Sequence, residues 1–269
     1  MMKRLLTHLP MLLTVLVALA MLAYGPIPQL PHYHAFADQR VWLGLPHAAD
    51  VLSNIGFALV GVWGLLALWP KRRHPALASG WPGYVLFLSA LVLTAIGSSY
   101  YHLAPDDTRL VWDRLPIVLA CAGLLAAVRA EGRPGAGDWP RLLLLAAGAV
   151  ASVWWWRFTG RHGVGDLRPY LLLQGLPLVL IPLWQAIYGA PARDRAAFGL
   201  ALGCYVLAKF AELYDHEIMA ILGVVSGHTL KHLFATAAAF LLTRRLVVRV
   251  GEAPSASAGY GTRISGIVR

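Results

Sequence analysis

Ionisable residues in this chain are almost confined to short breaks between long apolar runs, and this spacing constrains the fold more than any other feature. Eight runs can be read, at residues 5–24, 48–69, 82–103, 109–129, 140–156, 168–188, 197–214 and 226–247. A helix of about 20 mostly apolar residues crosses roughly 30 Å of hydrocarbon, and it satisfies its own backbone where no water is present. The fold class expected is therefore an all-α membrane protein. A soluble domain of 269 residues has no use for 58% hydrophobic residues and a mean hydropathy of +0.60, because one core stops growing before it could bury them.

Pro, Gly and charge punctuate the runs, as in Pro70-Lys71-Arg72-Arg73-His74-Pro75 and Gly132-Arg133-Pro134-Gly135. The fifth run is short, and Trp154, Trp155 and Trp156 are expected to anchor its end in an interfacial aromatic belt. Residues 1–24 read as a signal peptide or, since the apolar run is long, as a retained transmembrane helix. The tail 251–269, rich in Gly, Ser and Ala, is expected to be disordered and cytoplasmic.

The net charge of +10 does not point to nucleic acid, because the cations sit in loops flanking apolar runs. Lys71, Arg72, Arg73, Arg193, Arg195 and the C-terminal arginines fall on one side, against a sparser set such as Arg40, Arg109, Arg157 and Arg161 on the other. The positive-inside rule then places both termini in the cytoplasm. Alanine-, leucine- and arginine-rich usage suggests a bacterial inner membrane. Cys121 and Cys204 lie inside apolar runs and read as packing residues.

Titratable side chains inside a span are costly and mark functional sites by default. The third run ends Gly97-Ser98-Ser99-Tyr100-Tyr101-His102, the fourth opens Arg109-Leu110-Val111-Trp112-Asp113, and the last begins Ser226-Gly227-His228-Thr229-Leu230-Lys231-His232. In the topology above all of them fall at the outer, periplasmic end. His228 and His232 share one helix face about 6 Å apart along the axis, the spacing of helical zinc motifs. His102 can supply a third nitrogen with Ser98 one turn deeper. Three ligands leave a position for water, as a catalytic zinc requires. Asp113 is placed to take and return a proton, and Ser98 to support an oxyanion. Against these stand plainer roles: Asp113 paired with Arg114 or Arg109, Ser98 bonded to its own helix, and histidines bridging helices.

Ser98-x3-His102, Asp113 eleven residues on, and His228-x3-His232 at the start of the last helix resemble the signature of the alkaline ceramidases and their relatives in the CREST superfamily. The likeness covers residues 32–247, and Asp50-Val51-Leu52-Ser53-Asn54 is similar to bacterial ceramidase-like members. It implies a seven-transmembrane helix bundle, here with one additional N-terminal helix, over a domain of residues 25–250. It also implies Zn2+ on His102, His228 and His232, Ser98 and Asp113 near the metal water, and hydrolysis of the amide bond of a ceramide-like N-acyl lipid. Where alkaline ceramidases carry an acidic calcium-binding segment, this chain has Phe36-Ala37-Asp38-Gln39-Arg40 and Leu45-Pro46-His47, and no calcium site is expected.

A zinc-containing seven-helix receptor or scaffold would use the same histidines, although Asp113 and Ser98 favour an enzyme. Haem would need ligands across a wider gap, and a transporter usually shows internal repeats. Lys209, Glu212 and Asp215 or His216 share a face of the seventh run, as an ion pair or as supports for the ligand histidines. Asp166, Arg168, His32, His34 and His47 read as interfacial, and Asp38 and Arg40 as shaping the mouth of the site.

Overall fold

A computed structural model of the protein describes residues 2–132 and 138–252. The Arg133-Pro134-Gly135 break and the tail beyond Glu252 lie outside the described residues. The chain begins with α1 (Met2–Tyr24), followed by a small antiparallel hairpin of β1 (Val41–Trp42) and β2 (Leu45–Pro46). The next helices are α2 (Ala48–Ser53), α3 (Ile55–Leu68), α4 (Trp81–Leu103), α5 (Asp107–Gly132) and α6 (Trp139–Arg161). They are followed by α7 (Arg168–Ile187), α8 (Ala192–Leu213), α9 (Asp215–Leu222) and α10 (Gly227–Gly251).

Among the described residues seven stretches are long and apolar enough to cross a membrane: α1 from Leu6, α2 and α3 together through Lys71, and each helix from α4 to α8. At 25 residues α10 is as long, but it carries Lys231, Arg244, Arg245 and Arg249, and it packs along α8 and α3. The protein is an all-α membrane bundle. Helix α1 stands at its margin, largely exposed and packed chiefly against α7.

Three elements differ from the pattern of apolar runs. The second run is broken at Asn54, which is fully buried and donates from Nδ2 to the Asp50 carbonyl at 2.9 Å. Helix α6 continues through Arg161, and its three tryptophans do not share a belt: Trp154 and Trp155 are exposed whereas Trp156 is buried. Successive helical residues turn by about 100°, so three in a row cannot face one way. Helix α9 is too short to register as a span.

Two apolar clusters form the core. One joins Leu110, Val118 and Leu125 of α5 to Val153 and Trp156 of α6 and Ile181 and Trp184 of α7. The other joins Phe57 and Val60 of α3, Leu88 and Leu91 of α4 and Leu246 of α10. At the end where α3 and α5 finish, Arg245 bonds Asp194 at 2.5 Å and Glu252 at 3.1 Å, and Arg249 bonds Glu131. Helix–helix association in lipid depends on close packing, since the tails are as apolar as the side chains. The tightest approach near the histidine end is at Gly97, where an added Cβ would meet the Trp112 carbonyl oxygen at 2.0 Å. At Gly175 of α7 an added Cβ meets nothing within 4 Å.

Gly97→Ala should therefore force α4 from α5 and destabilise the protein by about 1–3 kcal/mol, read as a lower Tm in detergent. Gly175→Ala should leave Tm unchanged or raise it, because alanine is the better helix former. Equal effects at the two positions would contradict this packing.

Candidate metal centre

The last turn of α4 and the first turns of α10 bring three histidines together. His102, His228 and His232 are all buried, and each offers one ring nitrogen within 4.8 Å of the others'. Their ring centroids lie 4.7, 4.8 and 5.1 Å apart, with the planes steeply inclined to one another. This is the disposition of three donors around a point.

The start of α10 is held from several sides. Ser226 is the N-cap, its Oγ accepting the Thr229 amide at 2.8 Å. Asp215 at the head of α9 accepts the His228 amide at 2.7 Å on one oxygen and the Ala37 amide at 2.9 Å on the other. Asp50 of α2 accepts from Ser226 Oγ at 2.8 Å and Thr229 Oγ1 at 2.6 Å. Gly227 makes this clasp possible, because a Cβ there would meet the Ala211 carbonyl oxygen at 2.1 Å.

The rings are oriented as well as placed. His232 Nδ1 lies 3.1 Å from the Asp50 carbonyl oxygen and 2.8 Å from Ser53 Oγ. A carbonyl only accepts, so Nδ1 carries the proton and Nε2 keeps its lone pair for an ion. His102 Nδ1 is buried with no hydrogen-bond partner, which is costly in an apolar bundle unless an ion or a ligand engages it. Phe36 closes over the group, its ring 4.6 Å from His102 and 4.4 Å from His228. Three imidazoles whose ring nitrogens lie this close together, one of them orphaned, could hold a metal ion.

Asp113 and Ser98 reach the same end of the bundle through the contact of α4 with α5 at Gly97. Asp113 is buried, with Lys231, Arg114 and Glu212 as its charged neighbours and the Ser98 hydroxyl beside it. Ser98 Oγ is buried and faces Asp113, and it is not bonded back to its own helix. Arg109 is engaged by Asp106 at 2.5 Å, and Asp106 also accepts the Thr108 and Arg109 amides that begin α5. Arg114 lies among aromatic rings, 4.1 Å from Trp156, 5.1 Å from Tyr33 and 5.3 Å from Tyr170. No hydrogen bond joins either arginine to Asp113 among the described residues.

The remaining polar groups divide between framework and site. Lys209 and Glu212 pair at 2.7 Å, and Glu212 also takes Lys231 at 2.6 Å, so the pair extends to α10. Asp215 supports the ligand helix through its backbone, and His216 bonds the Ala35 carbonyl. His34 bridges Tyr101 and Asp107, and His47 bonds the Asp38 carbonyl. Asp166 accepts from Arg168, from Trp155 Nε1 and from the Ile27 amide. Asp38 is fully buried, not at an open mouth: it accepts from Arg40 Nε at 2.8 Å and from the Ala49 amide at 2.9 Å. Reading the sequence singled out neither Ser53 nor Phe36 as part of the site. Lys231 carried a signal, a charge standing between two histidines in the first turns of α10 beside Leu230, Leu233 and Phe234. Phe36 carried none.

No family model matches the chain, nor does any curated protein or any solved structure.

Removing the oriented support of His232 should weaken ion binding without unfolding the bundle. Ser53→Ala is expected to lower affinity for Zn2+, used as the probe, by about tenfold, as measured by competition with a chromogenic chelator. Asp38 secures the loop that carries Phe36. Burial raises its carboxyl, but the hydrogen bonds from Arg40 and the Ala49 amide outweigh this and hold it below the usual carboxylate range. A depressed folded pKa gives stability that is complete above the unfolded value and is lost as pH falls through the folded one. Asp38→Asn should thus cost about 1–3 kcal/mol at pH 7, and the gap to the parent protein should narrow in melts below roughly pH 4.

Proposed function

We propose that this chain is a zinc-dependent intramembrane hydrolase that cleaves the amide bond of a ceramide-like N-acyl lipid to a fatty acid and an amine. The observation that carries this reading is the convergence of three buried histidines with Asp113 and Ser98 at one end of an apolar bundle. His102, His228 and His232 would hold the zinc, which when bound supplies Lewis acidity and an acidic water near neutral pH.

The chain's own residues do the rest. Asp113 takes the proton of the attacking water and delivers it to the leaving amine. Ser98 Oγ, which is not bonded back to its own helix, donates to the carbonyl oxygen as it gains charge. Asp50 and Ser53 keep the His232 ring from turning. Phe36 and the surrounding apolar walls exclude bulk water, which strengthens each of these interactions. The membrane assigned is a bacterial inner membrane, with the site near the periplasmic face and the C-terminus cytoplasmic. This orientation is supported by Lys71, Arg72, Arg193 and Arg249 at the end opposite the histidines.

The test combines elemental analysis of the detergent-purified protein with fatty-acid release from a panel of N-acyl lipids. About one zinc per chain and metal-dependent release are expected, and His228→Ala should lose both. Asp113→Asn should keep its zinc and lose about 10²–10⁴ in kcat. Zinc without release from any N-acyl lipid would instead make the protein a zinc-containing receptor or scaffold.

A further inference from the structure

The histidine group has a cationic flank that the hydrolysis of an amide does not itself use. Lys231 on α10 donates to Glu212 at 2.6 Å, with its Nζ 3.4 Å from His228 Nε2. Lys209 on α8 donates to the other oxygen of the same carboxylate at 2.7 Å. Two ammonium groups therefore share one acid. Asp113 is the other acid near Lys231, but Arg114 adjoins it, and Arg114 has buried Nε and Nη1 atoms with no hydrogen-bond partner. Three cations thus face two carboxylates before any metal is counted. Asp50 and Asp215 do not redress this, since the Asp50 carboxylate is taken up by the Ser226 and Thr229 hydroxyls and that of Asp215 by the His228 and Ala37 amides.

Surplus positive charge within a span is expensive unless an anion offsets it. The two lysines differ in access. The Lys231 side chain is 18% exposed and is enclosed by Glu212 and His228, whereas that of Lys209 is 46% exposed. Lys209 sits one turn from Tyr205, whose ring centroid is 6.0 Å from its Nζ. Helix α8 packs closely along α10 but only sparsely against α7. A long acyl lipid needs such a loosely closed seam to enter between helices.

We propose that the acyl lipid taken up here carries an anionic oxygen group, a carboxylate or a phosphate, close to its scissile amide, and that Lys209 recognises it. This rests on the hydrolase reading above and adds the class of head group. Lys231 fixes Glu212, Glu212 orients Lys209, and the ammonium meets the anion beside the histidines. A charge-assisted hydrogen bond of this kind contributes enough for about tenfold discrimination or more.

The experiment uses the zinc-loaded full-length protein in nanodiscs and three substrates with one acyl chain: an N-acylglycine, an N-acylethanolamine and the phosphate ester of that N-acylethanolamine. At least one anionic substrate should exceed the neutral one by about tenfold in kcat/KM, and which one does so names the group. Lys209→Gln should collapse that ratio through a raised KM, and Lys209→Arg should retain it. A neutral substrate hydrolysed as well as both anionic ones would overturn the proposal, as would an unchanged ratio in Lys209→Gln. The ratio in the unsubstituted protein decides even if that variant does not fold. If none of the three is hydrolysed, the hydrolase reading fails separately, and binding of dodecyl phosphate against dodecanol takes over. Equal affinities would then refute an anion site, and about tenfold tighter binding of the phosphate, lost in Lys209→Gln, would sustain it.

Discussion

Two carboxylates, Asp50 and Asp215, clasp the first turn of α10 from opposite neighbours. The first amides of any helix have no partner within it, and in a membrane protein water is not there to serve them. Here those amides and the adjoining hydroxyls are met by acids from α2 and α9, so the helix that carries His228 and His232 begins at a fixed height and a fixed rotation. The same Asp215 takes the Ala37 amide, which ties the segment bearing Phe36 to the ligand helix. Asp50 also offers its backbone carbonyl to His232. Chain segments far apart in sequence thus depend on two side chains for their mutual position.

That clasp explains how the segment between α1 and α2 is held although it contains little regular structure. His34, Ala35, Ala37 and Asp38 are each bonded to a helix end or its neighbour. The result is a lid tied down by side-chain hydrogen bonds over a cluster of imidazoles, with Phe36 as its underside. A dry roof matters for any ion or charged group beneath it, because electrostatic interactions gain strength as water is removed.

The two ends of the bundle handle charge differently. At the end remote from the histidines Arg193, Arg245 and Arg249 are matched by Asp194, Glu131 and Glu252, an arrangement that joins α5, α8 and α10. At the histidine end the matching is incomplete: Lys209 and Lys231 converge on Glu212, and Arg114 rests on aromatic faces. Balanced pairs suit a fastening. An unbalanced set beside three buried nitrogens suits chemistry or recognition.

The sequence by itself determined the membrane bundle, since runs of apolar residues of that length have few other uses. It also marked His102, His228, His232, Asp113 and Ser98, because titratable groups in apolar helices and an i, i+4 pair of histidines are local signals. It paired Lys209 with Glu212 for the same reason, both lying on one helix. Only the tertiary structure joined Lys231 to that pair, placed Ser53 and the Asp50 carbonyl behind His232, and folded Phe36 across the rings. These relations connect residues as distant as Asp50 and His232, 182 positions apart, and depend on helix rotation and close approach at Gly97 and Gly227. Periodicity along a chain does not encode such distances; the packing of one helix against another does.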